Sequence, residues 1–441
     1  MGLIRAMMET RRADRLSREE LARLQEHRLE ALVRYARAHS PFYRDLYANL
    51  PDDAALGDLP AVTKPQLMAE FDRVVTDCRV TMERIEAFTA DPDRIGRKID
   101  GRYLVFRTSG STGNPAVVLY DAAMIGVSSA VAALRTFARW EDLKAFLRHG
   151  KKTAGVFADH GFYLACGMSR YLQRKMPWKR TKITVDVNAP EEEIVRQLNE
   201  FSPAMLSGYP SNLALLADND GLTIRPDVVI TGGELLTDAV RQKLAGKFGC
   251  TVQTHYSCTE GGEIACECAE GHLHINEDWV ILEPVDASGR PVECGVQSDK
   301  VLLTNLANRI QPFIRYELTD RIIVHDEPCA CGRNTRWLEI EGRTDDTVTL
   351  PNGAKIAPMS LYKILEEVQS IRRFQLVQAA PDRFMLRLIS DCREEAFAEA
   401  KQALAAFFAE KGFREAVITL SDDAPEADPV SGKFKHVVRL A

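Results

Sequence analysis

Residues 183–256 constrain the chain most, because strand-like and helix-like segments alternate there at short, regular intervals. Apolar runs at 183–187, 204–206, 228–231 and 251–256 read as strands, and the segments 191–200, 211–216 and 237–248 between them as helices. Repeated β-α units of this length require a parallel sheet with helices on both faces. Ligands of such open sheets bind beyond the carboxyl ends of the strands. Three strands here end in suggestive residues: Gly208-Tyr209-Pro210, Gly232-Gly233-Glu234 and Tyr256-Ser257-Cys258-Thr259-Glu260. Each alone is a cap or a turn; on consecutive units they converge on one rim.

A second feature precedes the sheet. Arg107-Thr108-Ser109-Gly110-Ser111-Thr112-Gly113-Asn114-Pro115 packs four hydroxyl side chains and two glycines into one turn between apolar runs. Glycine lets successive backbone N–H groups converge on an anion, and the hydroxyls add uncharged donors, so the loop can wrap a phosphate. An ordinary Ser/Gly hairpin turn would look the same in isolation. A Walker A loop is excluded, since Gly113 is followed by Asn114 and Pro115 rather than by Lys and Ser or Thr.

Composition narrows the class. The chain has 441 residues, 45% of them hydrophobic and 27% charged, with a net charge of -6 and its basic residues dispersed. That length allows two or three domains with a substantial core. Dispersed charge offers no footprint for nucleic acid. No apolar run reaches the ~18 residues needed to span a membrane, and the amino terminus carries no secretory pattern. A cytoplasmic protein is the expectation, so the ten cysteines should be reduced. Four of them, Cys266, Cys268, Cys329 and Cys331, form two tight pairs that point to metal rather than to disulfides.

Taken in order, the chain opens with an amphipathic helix capped by Ser17 and Glu20 and ending before Pro41. After Asp278 the pattern turns to strands without intervening helices, which suggests a β-rich subdomain; within it Thr319-Asp320 ends a strand with a carboxylate able to accept from vicinal ribose hydroxyls. A plain strand-end turn explains Asp320 equally well. The pattern resets at Glu341-Gly342-Arg343-Thr344-Asp345-Asp346. Beyond it a helix around Leu361 and Leu365, a hairpin across Pro381-Asp382, a helix at 394–411 and a strand at 416–420 make a small α+β unit. Its tail, Ser431-Gly432-Lys433, sets a lysine on a flexible turn.

A Ser/Thr/Gly loop, G-G-E, Y-x-x-[ST]-E, T-x-D, G-R-x-D-D and a late S-G-K, in this order, resemble the adenylate-forming superfamily of acyl-CoA ligases. The early S-P-F-Y at Ser40 to Tyr43, A-C-E-C at Ala265 to Cys268 and H-x-x-E-D at His274 to Asp278 look most like the phenylacetate-coenzyme A ligase family. The resemblance covers nearly the whole chain. It implies an α/β fold with a large N-terminal adenylation domain (1–342), comprising parallel sheet layers and the β-rich subdomain, plus a small mobile α+β C-terminal domain (343–441) turning about Asp345. It implies ATP-dependent activation of a carboxylic acid, aryl or arylacetic, through an acyl adenylate, then transfer to coenzyme A.

By resemblance Lys433 serves the α-phosphate and carboxylate, and Glu260, beside Thr259, serves magnesium (Mg2+). Asp320 and Arg343 serve the ribose, Thr108 to Gly113 the pyrophosphate, and Gly233, Glu234, Tyr256 and Ser257 the rest of the nucleotide site. Two departures stand out: Asn114 occupies a position where the family often has Lys, and Ser257 replaces a glycine beside the acyl pocket. Cys268, His274, Cys329 and Cys331 suit a closed structural zinc (Zn2+) site, with Cys266 or His272 as substitutes for a member of the set. Two other readings stay open: acyl transfer to an amine or a carrier-protein thiol, and an inactive nucleotide-binding relative. A homodimer is an allowed assembly.

Overall fold

The computed structural model describes residues 2–108, 115–175, 181–343, 347–356, 358–429 and 431–440. Its centre is a nine-stranded sheet, whose strands we number β1 (Thr153–Phe157), β2 (Lys182–Asp186), β3 (Met205–Gly208), β4 (Val228–Gly232), β5 (Thr251–Cys258), β6 (Gly262–Glu267), β7 (Leu273–Ile275), β8 (Asp320–His325) and β9 (Trp337–Arg343). The spatial order is β8-β9-β7-β6-β5-β4-β3-β1-β2. Strands β1 to β5 pair in parallel, and from β6 onward every pairing is antiparallel.

The parallel half forms because its helices carry apolar stripes that need the sheet. Helices Glu191–Phe201, Pro210–Ala217 and Asp238–Phe248 lay Ile194, Leu198, Leu213, Leu244 and Phe248 onto Val156, Val185, Leu206, Val229 and Val252. Burying a side chain of this size stabilises by about 1.5–3 kcal/mol relative to leaving it exposed. The opposite face meets helices Ala122–Arg135 and Leu164–Lys175; Ser169 and Thr184 hydrogen-bond across that contact at 2.8 Å.

The fold class is the expected one, with two differences of detail. Strand β1 and the helices at 122–135 and 164–175 lie where no alternation was read. Thr153-Ala154-Gly155-Val156-Phe157 is short and interrupted by glycine, so it carries little periodic signal although it sits inside the sheet. The strand-rich stretch after Asp278, moreover, divides between two sheets: β8 and β9 join the central one beside the earlier β6 and β7, while Val280–Val285, Lys300–Asn305 and Tyr316–Leu318 form a separate three-stranded sheet.

The last hundred residues have their own apolar cluster, in which Val348, Leu361, Leu376, Phe384, Leu404 and Phe408 are buried together. Strands Arg373–Ala380 and Arg383–Ile389 form the expected hairpin, and Val437–Arg439 returns parallel to the first of them. Ser17 and Glu20 cap helix Arg18–His39 reciprocally, as the sequence suggests. Among the described residues no helix is long and apolar enough to cross a membrane.

Candidate active site

The strand ends do converge. Along the carboxyl ends of β3, β4 and β5 runs a cleft of about 2210 Å³, lined among others by Tyr209, Gly233, Tyr256, Glu260, Asp320 and Lys433. Each wall residue is held by a different element.

Asp320 opens β8 and Arg343 ends β9, and antiparallel pairing sets them directly opposite each other. Their side chains approach to 3.7 Å, and the guanidinium also donates to Thr319 Oγ1 at 2.6 Å. Tyr256, from β5, donates its hydroxyl to Asp320 Oδ2 at 2.8 Å. The carboxylate is therefore fixed in place before any ligand arrives. Arg315, in a left-handed conformation at φ 50°, steadies the approach to β8 by pairing with Glu283 and donating to the Gly57 and Leu59 carbonyls.

Glu260 is 6% exposed and accepts from the Tyr316 hydroxyl at 2.9 Å. Burial raises its pKa above the usual carboxylate range, and the Tyr316 bond counters this in part. Its backbone carbonyl takes a hydrogen bond from Asn305, and that of Thr259 takes one from the Tyr120 hydroxyl. Ser257 and Cys258 complete the strand end, where the Cys258 sulfur accepts from the Gly261 amide.

Lys433 comes from the other side, on the C-terminal arm. The Phe434 amide donates to Glu234 Oε1 at 2.7 Å, and Asn212 Nδ2 donates to the Gly432 carbonyl at 2.9 Å. The ammonium is brought 5.9 Å from the centre of the Tyr209 ring. Burial lowers the Lys433 pKa, while Glu234, Asp320 and Glu260 oppose the shift and Arg343 adds to it. These charges therefore share one enclosed space. Gly233 has φ +79°, and a Cβ there would lie 3.0 Å from the Tyr209 ring and 3.5 Å from Lys433 Cε. The left-handed backbone and the close Tyr209 ring favour glycine here.

Of the expected phosphate loop, Thr108 is described: its Oγ1 accepts from the Ala116 amide at 2.8 Å, closing the base of the turn. Ser109, Gly110, Ser111, Thr112 and Gly113 lie outside the described residues, as does Asp345. Glu234 is engaged at both oxygens, by Phe434 N and by Ser211 N, so it ties the arm to the helix that follows β3. Asn212, Tyr316 and Glu366, which accepts from Thr237 Oγ1 at 2.6 Å, had no signal in the sequence.

At the antiparallel end, Cys268, His274, Cys329 and Cys331 bring their ligand atoms within 4.8 Å of one another. His274 Nε2 is 3.3 Å from the Cys331 sulfur, and its Nδ1 faces the Thr335 carbonyl at 3.0 Å. A carbonyl can only accept, so the proton sits on Nδ1 and the lone pair on Nε2 points at the thiols. The donor set thus fits a closed tetrahedral site. Cys266 instead lies with His255 and Glu263, while the His272 ring stacks on Trp337 with Nδ1 3.3 Å from the Cys329 sulfur.

No family model matches the chain. It is 28% identical to a phenylacetate-coenzyme A ligase of Thermus thermophilus over 392 residues, 84% of this chain and 81% of that protein. The chain is a relative of the phenylacetate-coenzyme A ligases. Protein CapK of Staphylococcus aureus is 23% identical, covering 84% of this chain and 78% of its own. The crystal structure of a 2-hydroxyisobutyryl-CoA ligase with 2-HIB-AMP, in the postadenylation state, superposes with a TM-score of 0.69 at 19% identity, covering 97% of this chain and 91% of that one. In its thioesterification state the same protein, with equal coverage, gives a TM-score of 0.60. The likeness to this solved structure shows a shared fold.

Proposed function

We propose that this protein is an AMP-forming carboxylate-CoA ligase. The carboxylate of a small organic acid attacks the α-phosphorus of ATP, releasing pyrophosphate, and the thiol of coenzyme A then displaces AMP from the acyl adenylate. The observation that carries this reading is the docking of Lys433 into a cleft already walled by Glu260, Asp320 and Arg343. Two anions must approach each other in the first step, and a half-buried ammonium aimed at them offsets the charge that builds up.

In this reading Asp320 accepts from the ribose hydroxyls, with Tyr256 holding it in the right rotamer. Arg343 stands beside it as a second ribose contact. Glu260 keeps one carboxylate oxygen clear of Tyr316 and offers it to magnesium, which supplies charge neutralisation to the phosphates when bound. Thr108 to Gly113 receive the pyrophosphate, and Gly233, Glu234 and Ser257 shape the nucleotide pocket. Cys268, His274, Cys329 and Cys331 hold one zinc ion, which staples the turn after β6 and strand β7 to the loop between β8 and β9. With four protein ligands that ion has no open position and acts on stability alone. Residues 343–441 form the mobile domain, and its rotation about Asp345 withdraws Lys433 before the thiol enters.

The test is to supply ATP, magnesium, coenzyme A and single acids from a panel of aryl, arylacetic and small aliphatic carboxylates. Acid-dependent AMP formation with matching thioester supports the reading. AMP without thioester would assign the acyl group to another acceptor, and the absence of both would reject activation altogether.

A further inference from the structure

The cleft extends along the face of the sheet that meets helices Ala122–Arg135 and Leu164–Lys175. Side chains alternate along strands, so the residues beside Val156, Leu206, Val229 and Val252 point to this face. They are Gly155, Ser207, Ile230 and Gln253, in mutual register. His255 follows Gln253 by two positions and pairs with Cys266 on β6. Gly155, Ser207, Ile230, His255, Glu263 and Ser128 all line the cleft.

Several polar atoms on this face are unserved. Ser128 Oγ, both amide atoms of Gln253, His255 Nε2 and Glu263 Oε2 are buried without a hydrogen-bond partner among the described residues. Gln253 is 1% exposed and the His255 side chain 9%. His255 Nδ1 lies 3.6 Å from Glu263 Oε2, a charge contact too long for a hydrogen bond. Ser128 is next to them, since a Cβ on Gly262 would meet its Oγ at 3.3 Å. Buried polar atoms left unpaired are costly, and those of Ser128, His255 and Glu263, which line the cavity, are best explained by a ligand that pairs them.

We infer that the acid this cleft activates carries a hydroxyl group on its acyl part, received by Glu263, His255 and Ser128. The inference rests on the ligase reading and narrows its substrate. A hydroxyl donates to Glu263 Oε2 and accepts from the Ser128 hydroxyl beside it. An ammonium donates but cannot accept, which leaves the Ser128 O–H unserved. A second carboxylate would face Glu263, and a plain hydrocarbon would leave every one of these atoms unpaired.

The experiment measures acid-dependent exchange of labelled pyrophosphate into ATP for matched acids: benzoate and the hydroxybenzoates, phenylacetate and the hydroxyphenylacetates, butyrate and the hydroxybutyrates. The best acid should bear a hydroxyl and exceed its deoxy partner in kcat/KM by about tenfold or more, the value of a hydrogen bond to a charged group. Glu263→Gln, which keeps the shape, should bring that ratio toward one by raising KM for the hydroxylated acid only. Ser128→Ala should lower it less. A deoxy acid as best substrate, or an unchanged ratio in Glu263→Gln, overturns the inference while leaving the ligase reading intact. So does a second equivalent of bound metal that Glu263→Gln removes, since the cluster would then hold a cation. No exchange with any acid rejects the ligase reading, and the hydroxyl assignment with it.

Discussion

The two sides of the cleft are built differently. On the body side Asp320, Arg343 and Glu260 sit at strand ends, locked by Tyr256, Thr319 and Tyr316. On the arm side Lys433 is placed by contacts made mostly on main-chain atoms: Glu234 to the Phe434 amide, Asn212 to the Gly432 carbonyl, with Thr237 to Glu366 farther off. A net gain of about 0.5–1.5 kcal/mol for each such bond holds the arm without trapping it. The body is preorganised, and in the proposed mechanism the arm is released after the first of the two steps.

The sharpest way to break this contrast is to deny the arm its seat. Gly432 has φ +69°, and a Cβ there would run into Val187 on the body. Gly432→Ala should therefore lower pyrophosphate exchange by roughly a hundredfold or more, the scale of losing a transition-state charge contact. Conversion of pre-formed acyl adenylate to thioester should survive, because the arm is then withdrawn. Equal loss of both steps would contradict a releasable arm.

Breaking the body side instead should cost stability. Cys331→Ser removes one of the four clustered ligands, so the protein should lose one equivalent of zinc and melt lower by roughly 5 °C or more. Cys78→Ser, on the exposed Cys78, is the control and should change neither. A metal-free wild type with the same melting temperature would show the cluster to be four reduced cysteine and histidine side chains and nothing more.

Smaller changes sharpen the comparison. Asn212→Ala deletes one arm contact and should slow exchange about three- to tenfold with the melting temperature unchanged. The pH profile tests the burial of Lys433. Its pKa is lowered, chiefly by desolvation, and the charged form is the active one. Exchange should therefore fall as pH rises through a value below the ordinary lysine range, and Lys433→Arg should remove that alkaline limb. An alkaline limb at the usual lysine value would mean the ammonium is solvated.

Much of this was legible in advance for a physical reason. Segments such as Gly232-Gly233-Glu234 at the end of β4 and Thr319-Asp320, which in the structure joins one strand to the start of β8 and does not end a strand, break an apolar run with residues that packing does not require, so they stand out. Lys433 stood out because a glycine turn precedes it. What stayed hidden depends on tertiary placement: Tyr316 reaching Glu260, Asn212 reaching the arm, and Gln253, His255 and Glu263 sharing one face across two strands. Strand β1 was hidden because burial on both sides removes the alternation that marks a half-buried strand. Which of Cys266 and Cys268, and of His272 and His274, joins the set depended on the placement of the loop between β8 and β9, which brings Cys329 and Cys331 to Cys268 and His274.

One measurement bears on the whole account: acid-dependent exchange of labelled pyrophosphate into ATP, run on the wild type beside Lys433→Ala and Lys435→Ala. With an accepted acid the wild type should exchange, Lys433→Ala should lose roughly a hundredfold or more while keeping its fold and ATP binding, and Lys435→Ala should stay near wild type. Exchange that survives Lys433→Ala at the wild-type rate would contradict the docked lysine as the group that serves adenylation.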